Sequence, residues 1–158
     1  MKFSPIVYLI GMLLCILSLF MLVPAFVDWF YGSENWPAFI GSSMATLFIG
    51  SILFIINRGS ETEHLELRQA FLLTNRAWIS IALFGSLPFL LSDIEMSFID
   101  AFFESTSGIT TTGATVIENL ETKSHGILIW RALLQWLGGV GIIAVSYTHL
   151  RAHETSRY

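Results

Sequence analysis

The stretch "GITTTGATV", residues 108–116, sets three threonines in a row between two glycines. It stands in a chain of 158 residues that is 54% hydrophobic and 13% charged, with a mean hydropathy of +0.67. Soluble domains carry about 25% charged residues, so the composition is that of an integral membrane protein. The formal charge of −4 points to neither a nucleic-acid partner nor a polybasic lipid-surface role. The single cysteine, Cys15, lies in an apolar run and has no partner for an intrachain disulfide.

On either side of the threonines the chain is built for lipid. A spanning helix needs about 20 mostly apolar residues. Residues 5–26 and 37–56 meet that length without a charge. Residues 77–91 are shorter and are extended by Phe71 to Leu73, with Arg76 one turn further in. Residues 126–145 carry one charge, Arg131, near their start. Lys2 followed by an apolar run resembles a secretory signal, but the run is long and no A-x-A site follows, so a retained helix is expected. Lys2, Arg58, Arg68 and Arg76 fall on one side of these spans; Asp28, Glu34, Asp93, Glu95, Glu118 and Glu121 fall on the other. By the positive-inside rule the N-terminus is cytoplasmic and the chain is multi-pass. Trp29 and Trp36 then sit at the outer interface, where indole rings concentrate.

The 34 residues from Ser92 to His125 are too long for an idle loop. Residues 97–107 predict a helix of about 16 Å, half the depth of a ~30 Å hydrocarbon core. Ser97 is its N-cap with Asp100 at N3, and Gly108 is its expected stop. An extended return of five or six residues at ~3.3 Å each covers the same depth. The expected fold is therefore an all-α integral membrane protein. It has four transmembrane helices, with a re-entrant pore helix and filter loop between helices three and four. Extended backbone at that depth is tolerable only buried in protein or lining an aqueous path. Carbonyl and threonine oxygens along such a path can replace the water around a hard alkali cation. Gly113 supplies a left-handed backbone angle without steric cost. A plain Ser/Thr/Gly linker is the competing reading.

"DAFFESTSGITTTGATV", residues 100–116, with "WRALLQWLGGVGII", residues 130–143, resembles the first pore repeat of the TrkH-type potassium-uptake proteins of the Trk/Ktr/HKT superfamily. The resemblance implies K+ uptake across the bacterial inner membrane through a pore ringed by four helix–pore loop–helix repeats. It places Thr111, Thr112 and Gly113 on the K+-coordinating filter, with Thr110 and Ala114 flanking. It further implies a homodimer and a cytoplasmic nucleotide-binding partner of TrkA or KtrA type. It divides the chain into an N-terminal helix pair with its connector (1–64), the first repeat (65–145), and a tail (146–158) that departs from the family pattern. The helical pattern is read as stopping after Val145.

Arg131 and Glu104 are candidates for a structural pairing. Gly138, Gly139 and Gly141 are read as small residues that let helices approach; with no strand before them and no G-K-[ST], they are not a phosphate loop. His64, and His149 with His153, carry no convincing metal-site spacing. No Ser–His–Asp or paired-carboxylate constellation stands out, so no enzyme activity is expected. One loop cannot ring an ion, which leaves open a truncated pore subunit, a small tetrameric cation-channel subunit, or a non-conducting structural membrane subunit.

Overall fold

The computed structural model describes residues 4–59 and 67–154, with side chains over 4–59 and 71–141. The described residues form six α-helices in the order α1 (Ser4–Phe30), α2 (Trp36–Ile56), α3 (Leu67–Gly85), α4 (Leu87–Leu91), α5 (Phe98–Ile109) and α6 (His125–Glu154), with a single 3-10 turn at Leu120–Thr122. Among the described residues there is no strand. The connector that carries His64 lies outside the described residues.

Helices α1 and α2, 27 and 21 residues long, are long and apolar enough to cross a bilayer. They pack along each other because small residues line their seam. A Cβ on Gly11 would come within 2.6 Å of the Phe54 amide nitrogen, and one on Gly50 within 3.0 Å of the Cys15 nitrogen. Ser43 Oγ donates to the Ser18 carbonyl at 2.8 Å across this contact. With lipid as the competing solvent, such close approach and interhelical bonding are what hold two apolar helices together. Their outer faces leave Leu19, Phe26, Met44, Phe48 and Ile55 exposed.

Helix α3 ends where proline chemistry requires it. Pro88 has no N–H for the Phe84 carbonyl, and its ring crowds that turn. The helix breaks at Gly85 and Ser86 and resumes as α4. At the same break the Trp130 indole, from α6, donates to the Gly85 carbonyl at 2.9 Å. Gly85 also admits α5, since a Cβ there would sit 2.6 Å from Ser105 Oγ. Phe39, Phe89, Trp130, Ile127 and Leu134 fill the core where these helices meet.

Two polar clamps tie the helix pair to the rest. Asn35 Nδ2 donates to Asp93 Oδ1 at 2.7 Å, and the Asp93 amide donates back to Asn35 Oδ1 at 3.1 Å. Asp28 lies inside α1 and is fully buried, rather than in the outer loop where its charge suggests it belongs. Its carboxylate accepts from the Gly126 amide at 2.7 Å and from Ser124 Oγ at 3.1 Å. It thereby caps the N-terminus of α6, where unpaired amides and the helix dipole favour an anion. Helix α6 runs on to Glu154, past Val145 where the sequence pattern ends.

Candidate functional site: the loop after helix α5

The loop begins from a well-made half-length helix. Ser97 caps α5, accepting from the Asp100 amide at 3.2 Å. Asp100 in turn accepts the Ser97 hydroxyl at 2.7 Å, rather than the backbone amide expected of it. The 12 residues of α5 measure about 18 Å. Gly108 does not stop the helix; α5 runs through it to Ile109. Its missing side chain serves packing instead, since a Cβ there would lie 2.9 Å from Leu134 Cβ.

The stop comes three residues later, at an unexpected residue. The Thr112 amide returns to the Ser107 carbonyl at 3.0 Å, and the Thr111 amide to the Gly108 carbonyl at 2.9 Å. Those two bonds define a Schellman motif with Thr111 at its left-handed position, φ +60°. Glycine is the usual occupant; a β-branched residue there costs roughly 1–2 kcal/mol. Gly113 is also left-handed, at φ +77°.

Residues 110–116 have no regular structure and are exposed. Among the described residues, no group donates a hydrogen bond to the carbonyls of Thr110, Thr111, Thr112 or Gly113. Several of the loop's other polar groups are bound. Ser107 Oγ donates to the Ala114 carbonyl at 2.6 Å. Thr110 Oγ1 donates to the Thr106 carbonyl at 2.7 Å and meets Thr112 Oγ1 at 2.9 Å. One run of four bare carbonyl oxygens is therefore presented on a loop whose ends are pinned.

Glu104 is the main pin. Its carboxylate is buried, and Oε2 accepts from Thr115 Oγ1 and from the Val116 amide, each at 3.1 Å. Oε1 accepts from Arg131 Nε in a direct ion pair. The charge is thus both paired and hydrogen-bonded, as a buried carboxylate must be. Helix α6 backs the whole loop from one face. Arg131 holds Glu104, Leu134 fills the space left by Gly108, and Gln135 approaches Gly113. At Gly138 a Cβ would collide with the Ile109 carbonyl oxygen. Of the three glycines read as packing residues, only Gly138 is used this way among the described residues; Gly139 and Gly141 have open space at their Cβ positions.

Thr110, Thr111, Thr112, Gly113 and Ala114 are thus brought together on one exposed turn, and Glu104 and Arg131 meet behind it. Sequence reasoning missed Ser107, Gln135 and Asp28 as parts of the arrangement. Only the spacing of Arg131 and Gln135, four apart on one helix face, hinted that both serve the same loop.

Comparison with known proteins bears on this geometry. The family described as TrkH, cation transport protein, matches residues 35–156. The Trk system potassium uptake protein TrkH of Vibrio parahaemolyticus is 41% identical over 147 residues, covering 92% of this chain and 30% of that protein. The TrkH of Salmonella typhimurium is 40% identical over the same share of each. An uncharacterized cation transporter of Methanocaldococcus jannaschii is 35% identical over 153 residues, 97% of this chain and 32% of that one. The crystal structure of the potassium transporter TrkH from Vibrio parahaemolyticus superposes with a TM-score of 0.90 at 40% identity, over 95% of this chain and 32% of that one. The chain therefore spans about a third of the length of these relatives. With its helices and the α5–loop–α6 unit matched to a membrane transporter at that level, the chain belongs to the TrkH family of cation transport proteins.

Proposed function

We propose that this chain supplies one helix–pore loop–helix repeat, residues 65–145, to a K+-uptake pathway across the bacterial inner membrane. The carrying observation is the run of four carbonyls, Thr110 to Gly113, that accept no hydrogen bond among the described residues. Unsatisfied carbonyls are costly in lipid and useful where they replace the hydration shell of an ion. In this reading Thr111, Thr112 and Gly113 coordinate K+, with Thr110 and Ala114 flanking. Helix α5 and the loop form a re-entrant excursion from the outer face, between spans provided by α3 and α6. Left-handed backbone at alternate positions, 111 and 113, supports it by letting successive carbonyls face the same way.

The N-terminus is cytoplasmic in this reading, and the outer surface carries Asp93, Glu95, Glu118 and Glu121. One loop supplies one side of a ring, so conduction requires further repeats. A homodimer and a nucleotide-binding regulatory subunit of TrkA or KtrA type complete the proposed assembly.

The test is a chimera in which residues 1–145 replace the matching part of the full-length Vibrio protein. K+ and Na+ tracer uptake is measured in cells or vesicles. Gly113→Ser is expected to lower the K+/Na+ uptake ratio. An unchanged ratio removes Gly113 from the filter, and an inert chimera of normal abundance favours a non-conducting structural role.

A further inference from the structure

Gly113 has a single close neighbour behind it. A Cβ built at this position would lie 3.2 Å from Gln135 Nε2, and no other heavy atom comes within 4 Å. Gln135 is half-buried on α6, one turn beyond Arg131. Among the described residues its amide makes no hydrogen bond. A side-chain amide offers two donors and an acceptor, and those of Gln135 are not sealed from the space around the loop. A leucine or methionine would fill the same space without offering those polar groups to the loop. The amide is the one group within 4 Å of a Cβ position at Gly113 and is placed to brace the loop.

We propose that Gln135 is a positioning residue that sets ion discrimination by bracing the loop at Gly113. The inference rests on the filter reading given above. The loop's two ends are fixed independently: Ser107 holds Thr112, Gly113 and Ala114 from the helix side, and Glu104 holds Thr115 and Val116 from the far side. Ser107 tethers the Gly113 amide from the helix side, and Gln135 stands where a side chain at 113 would point, limiting how far the backbone can recede in that direction. A filter free to recede or contract adjusts to ions of different radius; one braced from behind does not. The same contact explains why a side chain at 113 is consequential. A serine hydroxyl there would start within reach of the Gln135 amide and be drawn towards it, pulling the backbone with it.

The experiment uses the full-length chimera and reads the K+/Na+ uptake ratio per folded protein, for Gly113→Ser, Gln135→Met and the double variant. Met keeps the volume and removes the amide. Gln135→Met alone is expected to shift the ratio at least about threefold with unchanged abundance. The double variant is expected to depart at least about threefold from the product of the single effects, as contacting residues do. If Gly113→Ser shifts the ratio while Gln135→Met does not and the effects multiply, the brace is refuted and the filter reading stands. If Gly113→Ser itself leaves the ratio unchanged, the filter reading fails and takes the brace with it. Should Gln135→Met fold poorly, Gln135→Glu keeps shape and polarity while replacing donors by a charge. A reduced total flux with an unchanged ratio in both variants reduces Gln135 to packing and overturns the proposal.

Discussion

In the α1–α2 pair the two backbones come close because nothing stands between them. Gly11 meets the Phe54 amide and Gly50 meets Cys15, along a seam that Ser18, Ser43 and Thr46 also line. In the loop after α5 the situation is reversed: the backbone is exposed, and its position is dictated by a few side chains from elsewhere. Glu104, Ser107 and Arg131 do there what close helix contact does in the pair. The difference teaches where each region is vulnerable. Helix pairs in lipid fail when a small residue grows. A loop of bare carbonyls fails when one buried anchor is lost.

The largest effect should come from the anchor. Glu104→Ala leaves Arg131 without its carboxylate and frees the Thr115 and Val116 groups. Breaking a buried pair by removing one partner costs about 3–5 kcal/mol. Thermal unfolding of the purified chimera in detergent should show it, with loss of ion discrimination in whatever protein remains folded. Retention of both stability and discrimination would erase the contrast between the regions.

Next comes the helix pair. Gly11→Leu should cost about 1–3 kcal/mol by forcing α1 from α2. The K+/Na+ uptake ratio of the surviving protein should be unchanged, because among the described residues no group of α1 or α2 bonds to the loop. A changed ratio would mean that the two regions are coupled.

A smaller effect, of opposite sign, is expected at Thr111. Thr111→Gly relieves a left-handed threonine and should raise stability by about 1 kcal/mol. Ion discrimination should fall, since the helix end gains freedom beside the carbonyls. The smallest effect belongs to Gly139→Ala, which should raise stability by about 0.5–1 kcal/mol through helix propensity, because nothing lies within 4 Å of the added methyl. Gly138→Ala, one residue earlier, is the matched contrast, since its methyl would meet the Ile109 carbonyl.

Much of this was legible in the residues. The spans of α1 and α2, the half-length α5 with Ser97 at its cap, and the exposed threonine loop all follow from hydropathy, length and capping chemistry. The helix stop was misread because Gly108 carries the usual signal for it, whereas contact with Leu134 claims that glycine and the left-handed turn falls on Thr111. Nothing in local sequence distinguishes a glycine needed for φ from one needed for space. Gly138, Gly139 and Gly141 show the same limit, because which of them meets a neighbour depends on the helix face and not on identity. Asp28 reads as a solvated acidic residue until its partners, nearly a hundred residues away, are known.

That carboxylate has a bearing on how the molecule can be cut down. The family match opens at residue 35, downstream of α1, yet the amide of Gly126 finds its acceptor upstream of that boundary. A protein trimmed to the matched portion would strand a buried donor, at a cost of about 1–3 kcal/mol. The first helix therefore belongs to the packing of the repeat, and anyone shortening this protein should leave that helix in place.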